Sequence, residues 1–67
     1  MTKKEIEFIR KEIEKNRRWA DQELCKFESS ADPAVRLDHF HEYQACNITA
    51  DAYEYLLTNL AIYFPED

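Results

Sequence analysis

Glycine is absent from this 67-residue chain, and proline occurs only twice. Tight hairpin turns need residues with positive φ, which here fall to Asn or Asp alone, so a β-rich fold is not expected. The same absence removes any Gly-rich phosphate loop. No apolar run is long enough for a membrane span or a signal peptide, and Met1-Thr2-Lys3-Lys4-Glu5 leads straight into a charged, periodic segment. The expected location is therefore cytoplasmic, with no membrane partner. Only two Cys are present, and in a reducing compartment these are free thiols or ligands rather than a disulfide. Asn47-Ile48-Thr49 matches a glycosylation sequon, but nothing suggests secretion and the same residues can cap a helix.

What the chain does have is enough apolar and aromatic content, 45% and 13%, to exceed a disordered tail. One domain covering residues 1–67 is expected, near the size at which a single core contributes only a few kcal/mol of net stability. Thr2 with Glu5 three residues on is a capping box, opening helix 1 over about residues 3–28. At about 100° per residue, Ile6, Ile9, Ile13, Ala20, Leu24 and Phe27 share one narrow arc with Asn16 beside it, which marks the core face. Glu7 with Lys11 and Glu14 with Arg18 are i,i+4 pairs that solvate the outer face. Ser29-Ser30-Ala31-Asp32-Pro33 is a break, with Asp32 as cap and Pro33 at the first helical position.

Helix 2 is expected over residues 33–46 and a second break at Asn47-Ile48-Thr49, where Thr49 caps and Ile48 staples against Tyr53. Helix 3 then covers about residues 50–64, with Tyr53, Leu56, Leu57, Leu60, Tyr63 and Phe64 on its core arc. The expected fold is all-α, a compact three-helix bundle with a long first helix. An alternative lets helix 1 project as an arm that pairs with another copy. Phe8 and Trp19 lie about 100° from the core arc of helix 1, and Tyr55 and Ile62 lie nearly opposite that of helix 3. Two helices thus carry more apolar surface than one contact requires.

Charge is divided unevenly. Residues 1–28 hold eight Lys or Arg and seven Asp or Glu, whereas residues 29–67 hold only Arg36 against seven acids. The net charge of −5 therefore resides in the second part of the chain. Asp38 with Glu42 and Asp51 with Glu54 are each one helical turn apart, two carboxylates to a patch. Such a surface attracts a basic partner and repels phosphate backbones, so direct nucleic-acid binding is not expected. Tyr55 and Ile62, with Phe8 and Trp19, add area that a partner can bury. The blander reading is a solvated face that keeps a small protein dissolved.

Cys25, His39, His41 and Cys46 are the soft ligands, the inventory of a structural zinc site, but their spacing matches no finger. On one helix His39 and His41 point about 160° apart, and His39 and Cys46 stand roughly 10 Å apart. Cys25 with His39 is the most plausible pair, with Asp21 and Glu42 as further ligands. No cofactor is otherwise expected. More simply, Cys46 packs as a small hydrophobe and the histidines are partly exposed. Cys25 with His39 lacks an oxyanion pocket, and the carboxylate pairs sit where nothing perturbs their ionisation, so the chain is not expected to be an enzyme.

In size, acidity and helical character the chain resembles the short acidic inhibitors of phages and mobile elements, among them anti-CRISPR proteins. That resemblance spans the whole chain and rests on no motif. It implies an inhibitor that occludes the basic, nucleic-acid-binding surface of a larger protein and assigns no residue; on the charge and helix-face reading above, Asp38, Glu42, Asp51 and Glu54 would supply charge and Tyr55 and Ile62 buried area. The alternatives are a self-associating structural protein and a zinc-stabilised interaction module.

Overall fold

The structure, a computed structural model, describes the backbone of residues 2–63 and the side chains of residues 2–59. Two helices account for almost all of it: α1 over Lys3–Ser29 and α2 over Pro33–Tyr63. At the start of α1 the Thr2 hydroxyl accepts from the Glu5 amide, and the Glu5 carboxylate accepts from the Thr2 amide, both at 3.2 Å. Ser30 ends the helix in an extended conformation, its amide donating to the Lys26 carbonyl at 3.0 Å. Across the short turn, Asp32 Oδ1 accepts from the Ala34 amide at 2.9 Å, and Pro33 occupies the first helical position, where no amide donor is needed.

The three-helix bundle is not what the chain forms. α2 passes unbroken through Asn47-Ile48-Thr49 for 31 residues, so the elements expected at 33–46 and 50–64 are one helix and the fold is a helical hairpin. The physical reason lies in the three residues themselves. Neither Gly nor Pro is among them, and Asn, Ile and Thr each lower helix stability by at most about 0.7 kcal/mol relative to Ala. Their capping groups are used otherwise. Thr49 Oγ1 donates back to the Ala45 carbonyl at 2.9 Å, Asn47 Oδ1 accepts from Arg17 of α1 at 2.9 Å, and Ile48 is exposed rather than stapled. Tertiary contact has overridden a weak local signal.

The two helices pack side by side into a body of 51 × 15 × 10 Å. Their seam is narrow. Ile6, Ile9, Asn16, Ala20 and Glu23 of α1 are buried against Cys46 and Ala50 of α2, while Ile13, Leu24, Phe27, Tyr53 and Leu57 are half-buried. Ala20 and Ala50 are the residues closed off almost entirely, at 1% and 0% exposure, and no large side chain among the described residues is. Leu56, expected in the core of a third helix, is exposed. The side chains of Leu60, Ile62, Tyr63 and Phe64 lie outside the described residues. One helix packed on one helix buries a stripe of each and leaves the flanks open.

Candidate functional site

Polar groups set the register of the hairpin. Asn16 reaches back to the Glu12 carbonyl at 2.7 Å, and beside it the Arg17 guanidinium leaves α1 to clamp α2. It donates to Asn47 Oδ1 at 2.9 Å and to Asp51 Oδ1 at 2.7 Å, and pairs with Glu54 Oε1 at 3.1 Å. Hydrogen bonds from Asp51, then Glu54, raise the Arg17 pKa and keep it charged. Spacing alone leaves Asp51 and Glu54 as a self-repelling pair. Arg17 bridges them, which nothing local to α2 reveals.

Nearer the turn, Glu23 is buried, and His39 Nδ1 stands 2.6 Å from its Oε2 while Lys26 Nζ lies 3.3 Å from its Oε1. The His39 hydrogen bond, aided by Lys26, holds the Glu23 carboxyl below the ordinary carboxylate value despite its burial. At that distance Nδ1 carries the proton donated to the carboxylate. His39 thus pairs with Glu23 and not with Cys25. Cys25 is exposed, Cys46 is buried in the seam, and His41 points to solvent. Burial, then the charges of Glu42 and Glu23, pushes the Cys46 thiol up, away from the thiolate that binds metals or attacks electrophiles. Among the described residues no three His, Cys, Asp or Glu side chains are arranged to hold an ion.

Among the described residues, most of the exposed apolar side chains fall on two surfaces. One is the outer ridge of α2, turned away from α1. Leu37, Ile48 and Tyr55, spaced by 11 and 7 residues, share one stripe of an unbroken helix, and are 52%, 67% and 71% exposed. Asp51, between Ile48 and Tyr55, adds a carboxylate beside the ridge. Leu37 and Ile48 were missed from sequence because the expected break separated them from Tyr55. Ile62, assigned with Tyr55, lies outside the described side chains.

The other surface is a broad face to one side of the seam. Phe8 and Trp19 of α1 are 59% and 49% exposed there. Phe8 and Ile9 line a shallow open hollow with Tyr53 and Leu56, and the latter two continue into a second hollow with Ile48 and Ala52. Asp38 and Glu42 are exposed near the same face, with no ion pair among the described residues. Close to the turn, the Phe27 and Phe40 rings lie 5.6 Å apart at a tilt of 43°, with the Arg36 guanidinium 4.6 Å over the Phe27 ring. Among the described residues no helix is long and apolar enough to cross a membrane. Comparison of the chain with protein-family models, with curated proteins and with solved structures finds no match.

Proposed function

We propose that this protein is a non-catalytic binding module that docks the outer ridge of α2 on the basic, nucleic-acid-binding surface of a larger protein and blocks it. The observation that carries this is the pairing of Leu37, Ile48 and Tyr55, all exposed, with a charge balance of one cation against seven acids over residues 29–67. An amphipathic helix laid in a groove is a recurring mode of recognition, its anchors repeating at helical spacing. Tyr55 supplies an anchor that buries a ring and keeps a hydroxyl free for hydrogen bonding. The surrounding carboxylates accelerate encounter with a positive channel and compete with phosphates for the same charges.

The mechanism is occlusion, as in the anti-CRISPR proteins the chain resembles in kind. Asp38 and Glu42 are the carboxylates free to meet a partner's cations. Asp51 and Glu54 give their nearest oxygens to Arg17 and contribute the remaining ones. Catalysis has little support: the hollows are open and shallow, and the buried thiol is held protonated.

The test is capture of a binding protein on immobilised chain, followed by competition. Binding that weakens as salt rises from about 50 to about 200 mM, that heparin or DNA displaces, and that Tyr55→Ala with Ile48→Ser abolishes is the expected result. A captured protein that holds DNA and this chain at the same time, or whose affinity ignores salt, refutes the occlusion reading.

A further inference from the structure

The hairpin leaves uncovered the broad face that carries Phe8 and Trp19, which borders the α2 ridge at Ile48. A protein of 8.1 kDa folded compactly exposes about 4,500 Å². This chain exposes 5130 Å², and no large described side chain is fully enclosed. A face with the two longer dimensions, 51 and 15 Å, has about 750 Å² of footprint, close to the roughly 800 Å² per partner of a stable interface.

We infer that a second copy of this chain covers that face, forming a four-helix bundle whose two-fold axis runs parallel to the helices, so that both turns lie at one end. Charge selects this arrangement over the inverted one. The bonds from Arg17 to Asn47 and Asp51, and from Glu23 to His39, set the axial levels: Phe8 beside Leu56, Trp19 beside Ala45, Lys26 beside Asp38. Rotation about an axis along the helices keeps every level and lays α1 across α2 of the second copy. Phe8 then meets Leu56, the Trp19 ring sits over the small Ala45, and Lys26 meets Asp38. All neighbouring helices run antiparallel. The inverted dimer instead lays α1 on α1, bringing together the edge that holds Lys4, Lys15 and Lys26, and sets like charges opposite one another.

This dimer leaves Leu37 and Tyr55 outside, has Ile48 at its edge beside Leu56 and takes Asp38 from the carboxylates open to a basic partner, so Trp19→Ala and Tyr55→Ala, one on each surface, are the variants that tell it apart from the docking ridge. Sedimentation equilibrium over about 1 to 200 µM reads the mass directly. About twice 8.1 kDa is expected, and a strict monomer across that range overturns the inference. Trp19→Ala raises the dimer Kd at least about thirtyfold, as a central aromatic anchor does. Asp38→Lys weakens the dimer about tenfold at low salt, with most of the difference lost at high salt. Tyr55→Ala leaves the mass unchanged; a monomeric Tyr55→Ala places the interface on the ridge and overturns the proposal.

Orientation is read without weakening the interface. Ala31→Cys in a Cys25→Ser background, treated with a short bis-maleimide, cross-links if both turns lie at one end. The inverted dimer separates the two introduced thiols by roughly the length of the hairpin, about 45 Å for 31 helical residues. A dimer of this variant that does not cross-link at the turn refutes the parallel axis.

Discussion

Replacing Thr49 by Ala distinguishes a continuous α2 from a helix that restarts at residue 50, because the two structures predict opposite signs. As an N-cap, Thr49 would accept from an amide two or three residues on, and Thr→Ala would destabilise by about 1 kcal/mol. In the structure Thr49 is exposed in mid-helix, and its hydroxyl donates to the Ala45 carbonyl at 2.9 Å. That back-bond adds little, since the carbonyl already serves the helix, while the β-branched side chain has lost rotamer freedom. Ala recovers the propensity difference, so stabilisation of about 0.5 kcal/mol is expected. For a domain of this size, roughly 4–8 °C per kcal/mol converts this to a rise in Tm of about 2–4 °C, against a fall of about 4–8 °C for a lost cap. Thermal unfolding followed by circular dichroism at 222 nm, at one fixed protomer concentration because association shifts Tm, reads the sign. A Tm below that of the parent chain refutes the continuous helix.

Two further outcomes follow from the polar seam. Glu23 has a folded pKa below its ordinary value of 4.5, so its stabilising contribution is fully present above about pH 4.5 and is lost as pH falls through the lower folded value. Glu23→Gln should therefore flatten the acid limb of the stability profile below that pH, and an unchanged acid limb would show that the His39 pairing is not formed. The thiols should differ in reactivity: Cys25 is exposed, whereas Cys46 is buried with its pKa raised above 9.0. A thiol reagent at neutral pH should label one site rapidly and the other only on unfolding; a single fast phase of two equivalents would contradict the buried seam.

The candidate surfaces were legible in unequal measure. Phe8 and Trp19 could be read as surplus because α1 has a single, well-defined apolar arc and both residues fall outside it. Tyr55 could be read likewise. Leu37 and Ile48 could not, since their membership of the same ridge depends on a helix that crosses Asn47-Ile48-Thr49 without turning. Arg17 was hidden for a related reason. On α1 it is one more cation near an i,i+4 pair, and its three acceptors, Asn47, Asp51 and Glu54, come from a helix whose register only packing determines.

Composition and periodicity by themselves determined that this chain is helical, where α1 begins, and where the turn falls. These depend on contacts within a few residues: the Thr2 and Glu5 capping box, the absence of Gly, and Asp32-Pro33 at the start of α2. Only the tertiary structure decided that there are two helices rather than three. A cap signal of about 1 kcal/mol competes there with Arg17 reaching across to Asn47 and with Cys46 and Ala50 closing the seam on either side of the proposed break. The same decision settles what stays uncovered. A third helix would have folded back over the hairpin, whereas one long α2 leaves Phe8, Trp19 and Tyr55 on surfaces that no described residue covers.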